Sequence, residues 1–182
     1  MNEIRLGKSP LEKHPAHVQA IGMLSIEIGV VELMLGRLLG SLLGLIDDLG
    51  EIIYMTPKSY TGRLDILENV AKRCLQPNSE GLSRIQSLVK RTKRRIQYRN
   101  DTTHSGWGVQ VSDHNIVTRR PFPFTQDSKA EPVLVSDLEA EITKIRQLQA
   151  DIAAETFAVR QSRAAAVASL NISPEQNQEP RT

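Results

Sequence analysis

Apolar residues recur at helical spacing along most of the chain and predict five helices. The first of them is expected to begin at Pro15 or Ala16 and to run to about Ile46, because no proline interrupts the pattern there. Its apolar residues fall on more than one face. This is typical of a central helix that several neighbours cover, as in a helical bundle.

Capping residues mark the starts of the other four predicted helices. The fourth helix is strongly basic, and Glu139 is placed to complete a capping box at the start of the fifth. The apolar face of the fifth helix comprises Leu138, Ile142, Ile145, Leu148 and Ile152 and could extend to Phe157. The expected cap or start residues are, in chain order, Asp47 or Asp48, Ser59 or Thr61, Ser79, and Ser136.

A short segment after the fourth helix has a different pattern. Val109, Val111, Ile116 and Val117 alternate with polar residues, which predicts a β-hairpin at about 108–118. A hairpin of this length is marginal alone, so it is expected to be an insertion in a helical protein. The fold class is therefore all-α, a helical bundle with a small β insertion.

The domain organisation follows from where these patterns begin and end. Residues 14–170 are expected to form one bundle domain. Residues 1–13 are polar and are expected to form a flexible arm, and residues 171–182 to be a disordered tail that cannot bury itself.

Glycines recur regularly along the first predicted helix. Gly22, Gly29 and Gly36 are a heptad apart, and Gly36, Gly40 and Gly44 are four apart. Each glycine costs about 1 kcal/mol of helix propensity relative to alanine. The recurrence predicts close approach of another helix, either from the same chain or from a second copy in a homodimer.

Charge is unevenly distributed, although the net charge is only +2. Residues 81–100 contain seven basic side chains and no acidic one, a region that would attract a polyanion such as RNA. Cys74 is the single cysteine, so no intrachain disulfide can form, which fits a cytoplasmic protein. The N-terminus lacks the apolar core of a secretory signal, and Glu27, Glu32 and Arg37 interrupt the one long apolar run. We therefore expect a soluble cytoplasmic protein with no membrane association.

The end of the basic helix contains the best candidate chemistry. Its apolar stripe, continued by one step, reaches Arg99, so this guanidinium is directed toward the core. A buried arginine needs an acceptor. Either Glu27 or Glu32 pairs with it, with His104 as a C-terminal helix cap, or Arg99 lines a polar site together with His104.

An arginine and a histidine are suited to metal-free cleavage of RNA by its own 2'-hydroxyl. Histidine can move a proton near neutral pH, and arginine can stabilise the charge that grows on the phosphate. Positions five apart on a continuous helix diverge by about 140 degrees. Arg99 and His104 therefore converge only if the helix breaks between them or if a second copy brings its motif alongside.

The sequence Arg99-Asn100-x-x-x-His104, at the end of a helix in a helical chain, resembles the motif of the HEPN superfamily. The resemblance covers roughly Ile21 to Trp107 and the last long helix. It implies an up-and-down bundle, often a homodimer, and a ribonuclease of a defence or toxin–antitoxin system that needs no metal or cofactor. Arg99 and His104 become the catalytic pair, Asn100 positions the phosphate or the histidine, and cleavage leaves a 2',3'-cyclic phosphate.

The same resemblance allows a second function. Many members of this superfamily keep the bundle without nuclease activity, so the alternative is a non-catalytic module that binds a partner protein or a nucleotide. On either reading a protein regulator, such as an antitoxin, is a possible partner.

Residues around the motif are candidates for RNA binding. Arg91 and Arg95 align with Arg99 at helical spacing, Arg94 lies beside them, and Tyr98 and Trp107 are placed to stack on an unpaired base. The alternatives are a solvated charged face and aromatic packing against the bundle. His14 and His17 are three apart, but no further ligands complete the set, so no metal site is predicted.

Overall fold

The computed structural model describes residues 9–110, 112–113, 115–121 and 129–170. It is a mostly helical bundle protein with a small antiparallel sheet, as the apolar pattern predicts. Residues 1–8 of the predicted arm, residues 122–128 and the predicted tail at 171–182 lie outside the described residues. The described helices are a short 3₁₀ helix at Pro10–Lys13 and α1 (Pro15–Leu43), α2 (Asp47–Met55), α3 (Tyr60–Cys74), α4 (Glu80–Thr103) and α5 (Val135–Leu170).

The helix boundaries confirm some of the predicted caps and correct others. The Ser59 hydroxyl accepts a hydrogen bond from the Gly62 amide at 3.1 Å, and Ser79 accepts one from Leu82 at 3.3 Å, as N-caps do. The end of α1 is at Leu43 and not at Ile46, because Gly44 has a φ of +73°, a left-handed conformation that terminates the helix.

Two predicted caps are wrong. The N-cap of α2 is Ile46. Asp47 and Asp48 lie in the first turn, where their negative charges still interact favourably with the positive end of the helix dipole. α5 begins at Val135, so Ser136 lies inside its first turn and is not its N-cap. The Asp137 carboxylate accepts a hydrogen bond from the Leu134 amide at 3.1 Å at this helix start.

The sheet has three strands, β1 (Gly106–Val109), β2 (Val117–Arg120) and β3 (Glu131–Pro132), in the order β1-β2-β3. Trp107 lies opposite Arg119 in the antiparallel β1–β2 pair, so a hairpin is present as predicted, but its strands extend beyond 108–118 at both ends, and Val111 lies outside the described residues. The third strand was not predicted, since two residues are too short to show an alternating pattern.

The chain divides into two compact units, to which α1, α4 and α5 each contribute residues. The first, here called the sheet unit, comprises Met1–Val31 and Lys90–Gln149, and the second, the α2–α3 unit, comprises Glu32–Val89 and Ala150–Thr182. In the sheet unit, the 3₁₀ helix packs against β1. The core of this unit is formed by Leu24, Ile28, Val31, Ile96, Val117, Leu138, Ile145 and Leu148.

The α2–α3 unit has an aliphatic core around one buried tyrosine. Tyr54 is fully buried, and Glu32 is buried and bound by Arg63. Among the described residues the Tyr54 hydroxyl has no hydrogen-bond partner. The remaining core consists chiefly of Leu35, Leu38, Leu39, Leu42, Leu64, Leu67, Ile85 and Ile152.

The glycines of α1 have two different environments. A Cβ on Gly36 would lie 2.8 Å from the Glu51 Cα, and one on Gly40 would lie 3.2 Å from the Gly50 Cα. The close neighbour predicted for this part of the line is therefore α2 of the same chain. A Cβ on Gly22 or Gly29 would meet nothing within 4 Å.

Of the described helices, α1 alone is long and apolar enough to cross a membrane. This is weak evidence for a membrane span, because the core helix of a soluble bundle has the same composition, and Leu24 and Leu35 of α1 are fully buried in protein.

Candidate functional site

The predicted motif lies at the C-terminal end of α4, in the sheet unit. Arg99 and Asn100 are half-buried in the last turns of the helix, and His104 is exposed directly after Thr103. The His104 amide still donates a helical hydrogen bond to the Asn100 carbonyl at 2.9 Å. The helix therefore does not break between Arg99 and His104. Within one chain the two side chains leave the helix in directions about 140 degrees apart.

His104 belongs to an exposed face of α4, which we call the solvent face. Helical geometry places Asn100, four residues earlier, directly beside His104. Further along the helix the same face is basic over two turns. The exposed residues of the solvent face are Lys90, Lys93, Arg94, Gln97 and His104.

Arg95, a predicted RNA-binding residue, is engaged inside the protein. It forms an ion pair with Glu141 of α5, whose carboxylate is buried and also lies 3.3 Å from the Lys144 ammonium. Recruiting Arg95 to a phosphate would leave Glu141 with Lys144 as its remaining cation, a costly arrangement for a buried carboxylate. Of the other predicted arginines, Arg94 is exposed and Arg91 is half-buried.

The two candidate stacking residues are held by the sheet. The Arg119 guanidinium of β2 lies 5.7 Å from the centre of the Tyr98 ring and donates a hydrogen bond to the Thr102 hydroxyl at 3.2 Å. The Trp107 indole donates to the Thr102 carbonyl at 3.0 Å. Burial raises the pKa of the Tyr98 phenol, and the positive charge of Arg119 opposes this increase. Both rings remain half-buried.

Arg119 is the residue at this corner that sequence reasoning missed. The predicted hairpin ends at about residue 118, whereas Arg119 is a strand residue that also pairs with Glu131. The pattern gave no signal for it, because residues 117–120 contain one apolar residue followed by three polar ones and show no alternation.

The two buried carboxylates considered as partners of Arg99 are bound by other residues. Glu27 in the sheet unit accepts hydrogen bonds from Arg146 and Gln149, each at 2.8 Å. Glu32, in the α2–α3 unit, is bound by Arg63. Burial alone would raise the pKa of Glu27, but the hydrogen bonds from Gln149 and Arg146 outweigh it and lower the pKa.

The histidines near the N-terminus have a structural environment. The His17 ring Nε2 lies 3.0 Å from the Val133 carbonyl oxygen, so this nitrogen carries the proton and donates it. The rings of His14 and His17 are perpendicular, with centroids 5.9 Å apart. In the part of the chain that the structure describes, no group of three or more His, Cys, Asp or Glu residues could hold a metal ion.

Comparisons with protein-family descriptions, with curated proteins and with solved structures gave no match for this chain.

Proposed function

We propose that the protein is a metal-independent endoribonuclease that acts as a homodimer, with Arg99 and His104 as its catalytic pair. The observation that carries the proposal is the exposed His104 at the end of a helix face whose other exposed residues include Lys90 and Arg94. The imidazole can move a proton at one phosphate, while Arg94 and Lys90, about 15 Å and 21 Å away along the helix, hold other phosphates of the same RNA.

Each residue has a defined part in the reaction. His104 accepts the proton of a ribose 2'-hydroxyl as its oxygen attacks the adjacent phosphorus. Arg99 stabilises the negative charge that develops on the non-bridging phosphate oxygens. The bond from phosphorus to the 5'-oxygen breaks, and this oxygen takes a proton from water and leaves as a hydroxyl, while His104 returns its proton to the solvent. The other fragment ends in a 2',3'-cyclic phosphate. Asn100 lies beside His104 and is placed to orient either the imidazole or the phosphate.

The homodimer follows from the direction of the two side chains. Because α4 stays helical through Thr103, Arg99 and His104 of one chain leave the helix on different sides. A two-fold axis near the end of α4 would bring Arg99 of one protomer beside His104 of its partner and would form two equivalent sites.

We assign the binding of RNA phosphates other than the reacting one to the solvent face. Lys90 and Arg94 are exposed there and can bind backbone phosphates at little cost. Arg95 is expected to contribute less, because it already neutralises Glu141. Tyr98 and Trp107 are half-buried, so a base would stack on the part of either ring face that remains accessible.

Cleavage of labelled RNA in the presence of EDTA tests this function. His104→Ala is expected to reduce the rate by roughly 10²- to 10⁴-fold, as loss of a general base does. His14→Ala removes a histidine outside the motif and is expected to leave the rate unchanged. Equal cleavage by wild type and His104→Ala, with both proteins folded, would exclude the proposed chemistry.

Mixing two inactive variants tests the shared site. In an equimolar mixture of Arg99→Ala and His104→Ala, half of the dimers are mixed, and each mixed dimer has one intact site. The mixture is then expected to recover about a quarter of the wild-type rate. Activity that stays at the level of the separate variants would place both residues of a site in one protomer.

A non-catalytic interaction module is the second candidate, and the surface of α2 favours it. Ile46, Leu49, Ile52 and Met55 are 68%, 44%, 63% and 41% exposed, which is unusual for a run of large apolar residues. On this reading Ile52→Asp abolishes association with a partner protein, measured by sedimentation, while His104→Ala leaves it intact.

A further inference from the structure

The α2–α3 unit contains a cavity of about 540 Å³ that plays no part in the proposed cleavage. This volume falls in the range of small-ligand pockets in proteins. Part of the wall is apolar and part is charged. The apolar part includes Leu42, Leu75, Ala158, Val159 and Ala166.

Two arginines line the cavity, and they have different electrostatic environments. Arg84 binds the buried Glu155 carboxylate at 2.6 Å and also Glu80 at 3.0 Å, so its charge is already neutralised. Arg163 donates one hydrogen bond, from Nη1 to the Leu42 carbonyl at 2.7 Å. None of the carboxylates in the described part of the chain forms an ion pair with Arg163. Its charge is therefore the unbalanced one in the cavity wall.

The fold holds the Arg163 guanidinium in place. A Cβ at Gly44 would lie 2.1 Å from its Nη2 and 2.7 Å from its Cζ, so the side chain occupies space that only a glycine leaves open. The positive φ of Gly44 brings the turn after α1 to this position. A guanidinium has five N–H donors in a fixed fork, and the bond to Leu42 uses one of them. The others can bind an oxyanion without prior rearrangement of the side chain.

We propose that this cavity binds a small amphipathic anion, with a carboxylate or phosphate head on Arg163 and an aliphatic or aromatic body against Leu42, Leu75 and Val159. The single guanidinium suits a ligand whose negative charge is confined to one head group. The apolar wall provides the remaining affinity by removing the ligand's body from water.

Binding of anilinonaphthalene sulfonate, a fluorescent amphipathic anion, tests the site on the full chain. Cys74 lines the cavity, is exposed to the reagent and is the only cysteine in the sequence, so a ligand bound there would shield it from alkylation by N-ethylmaleimide. The probe is expected to bind and to slow alkylation of Cys74. Alkylation that is unaffected at a saturating probe concentration would overturn the proposal.

Substitutions in the charged wall and in the apolar wall test separately the binding of the anionic head and of the apolar body of the ligand. Arg163→Met is expected to weaken probe binding roughly tenfold to a hundredfold, the value of a charged hydrogen bond. Arg73→Met removes the same charge from an exposed residue next to Cys74 and is the matched control, expected to change binding less than twofold. Ala158→Phe fills the cavity and should block binding, whereas Ala154→Phe, on the exposed surface one helical turn earlier, should not. Equal binding by Arg163→Met and Arg73→Met would refute the role of Arg163.

Ligands that share one alkyl chain length and differ in their head group show, by displacing the probe, which head group the cavity binds. Octanoate and octyl phosphate represent the two sources of the anion, and displacement by either supports the proposal and selects between them. Octanol lacks the charge and inorganic phosphate lacks the body. If octanol or phosphate displaces the probe as well as the charged octyl ligands do, the ligand is not an amphipathic anion.

Discussion

Replacing Gly50 of α2 with alanine is expected to destabilise the protein. The new Cβ would lie 2.5 Å from the Gly36 carbonyl oxygen and 2.5 Å from the Gly40 Cα, both backbone atoms of α1. Carbon atoms in good contact are about 3.5–4.0 Å apart, so α2 must move away from α1 by about 1 Å. Overpacking of this kind costs up to about 3 kcal/mol, and the helix propensity of alanine returns about 1 kcal/mol. The expected net loss is about 2 kcal/mol.

Gly29→Ala is the matched control, because the same substitution there meets nothing within 4 Å. Only the propensity term remains, so Gly29→Ala is expected to stabilise the protein by about 1 kcal/mol. For a chain of this size these changes correspond to a melting temperature lowered by about 4–8 °C for Gly50→Ala and raised by about 2–4 °C for Gly29→Ala.

Urea and thermal unfolding followed by circular dichroism measure both variants. An unchanged or raised stability of Gly50→Ala would show that α2 does not pack on Gly36 and Gly40 as described. A stability loss in Gly29→Ala that is present at high protein concentration and shrinks on dilution would place Gly29 in a contact between two copies of the chain, contrary to the open space expected here.

Three further changes probe the buried polar groups, each by urea unfolding. Arg95→Met is expected to cost about 2–3 kcal/mol of stability because it leaves the buried Glu141 poorly paired. The double variant with Glu141→Met should recover most of that loss. No recovery would mean that Arg95 stabilises the protein through other contacts. Tyr54→Phe should be neutral or stabilising by about 1 kcal/mol, since the hydroxyl has no partner in the described structure, and a clear loss would reveal a bound water or another acceptor. The pKa of Glu27 is lowered from its ordinary value of 4.5, so its contribution to stability is complete above that pH and is lost as the pH falls through the lower, folded-state pKa. Glu27→Gln should therefore flatten the decline in the free energy of unfolding between about pH 5 and pH 3. An identical decline in the variant would assign this loss to other carboxylates.

The helices could be predicted from the sequence because each carries its own local signals. The hydroxyls of Ser59 and Ser79 cap the helices that follow them, as expected. The end of α1, which was predicted wrongly, involves a contact distant in sequence. Gly44 terminates α1 where its turn accommodates Arg163 of α5, and that residue is 119 positions later in the chain. Local periodicity contains no information about such a partner.

The candidate site shows the same division. The position of Arg99 and His104 at a helix end followed from the apolar stripe and the polar residues after it. The partners of the charged residues did not, since Arg95 with Glu141 and Arg146 with Glu27 join separate helices. From the sequence, any of several acidic residues could pair with an arginine of the basic helix. The packing of the helices decides which of them does.

The single tryptophan gives the candidate site its own optical signal. Trp107 is the only tryptophan in the chain, and its indole N–H is tied to the carbonyl of Thr102, two residues before His104. Its emission spectrum therefore depends on whether the end of α4 is intact and whether solvent or a base reaches the ring. Binding and local opening at this corner can be followed in real time by intrinsic fluorescence, without any attached label.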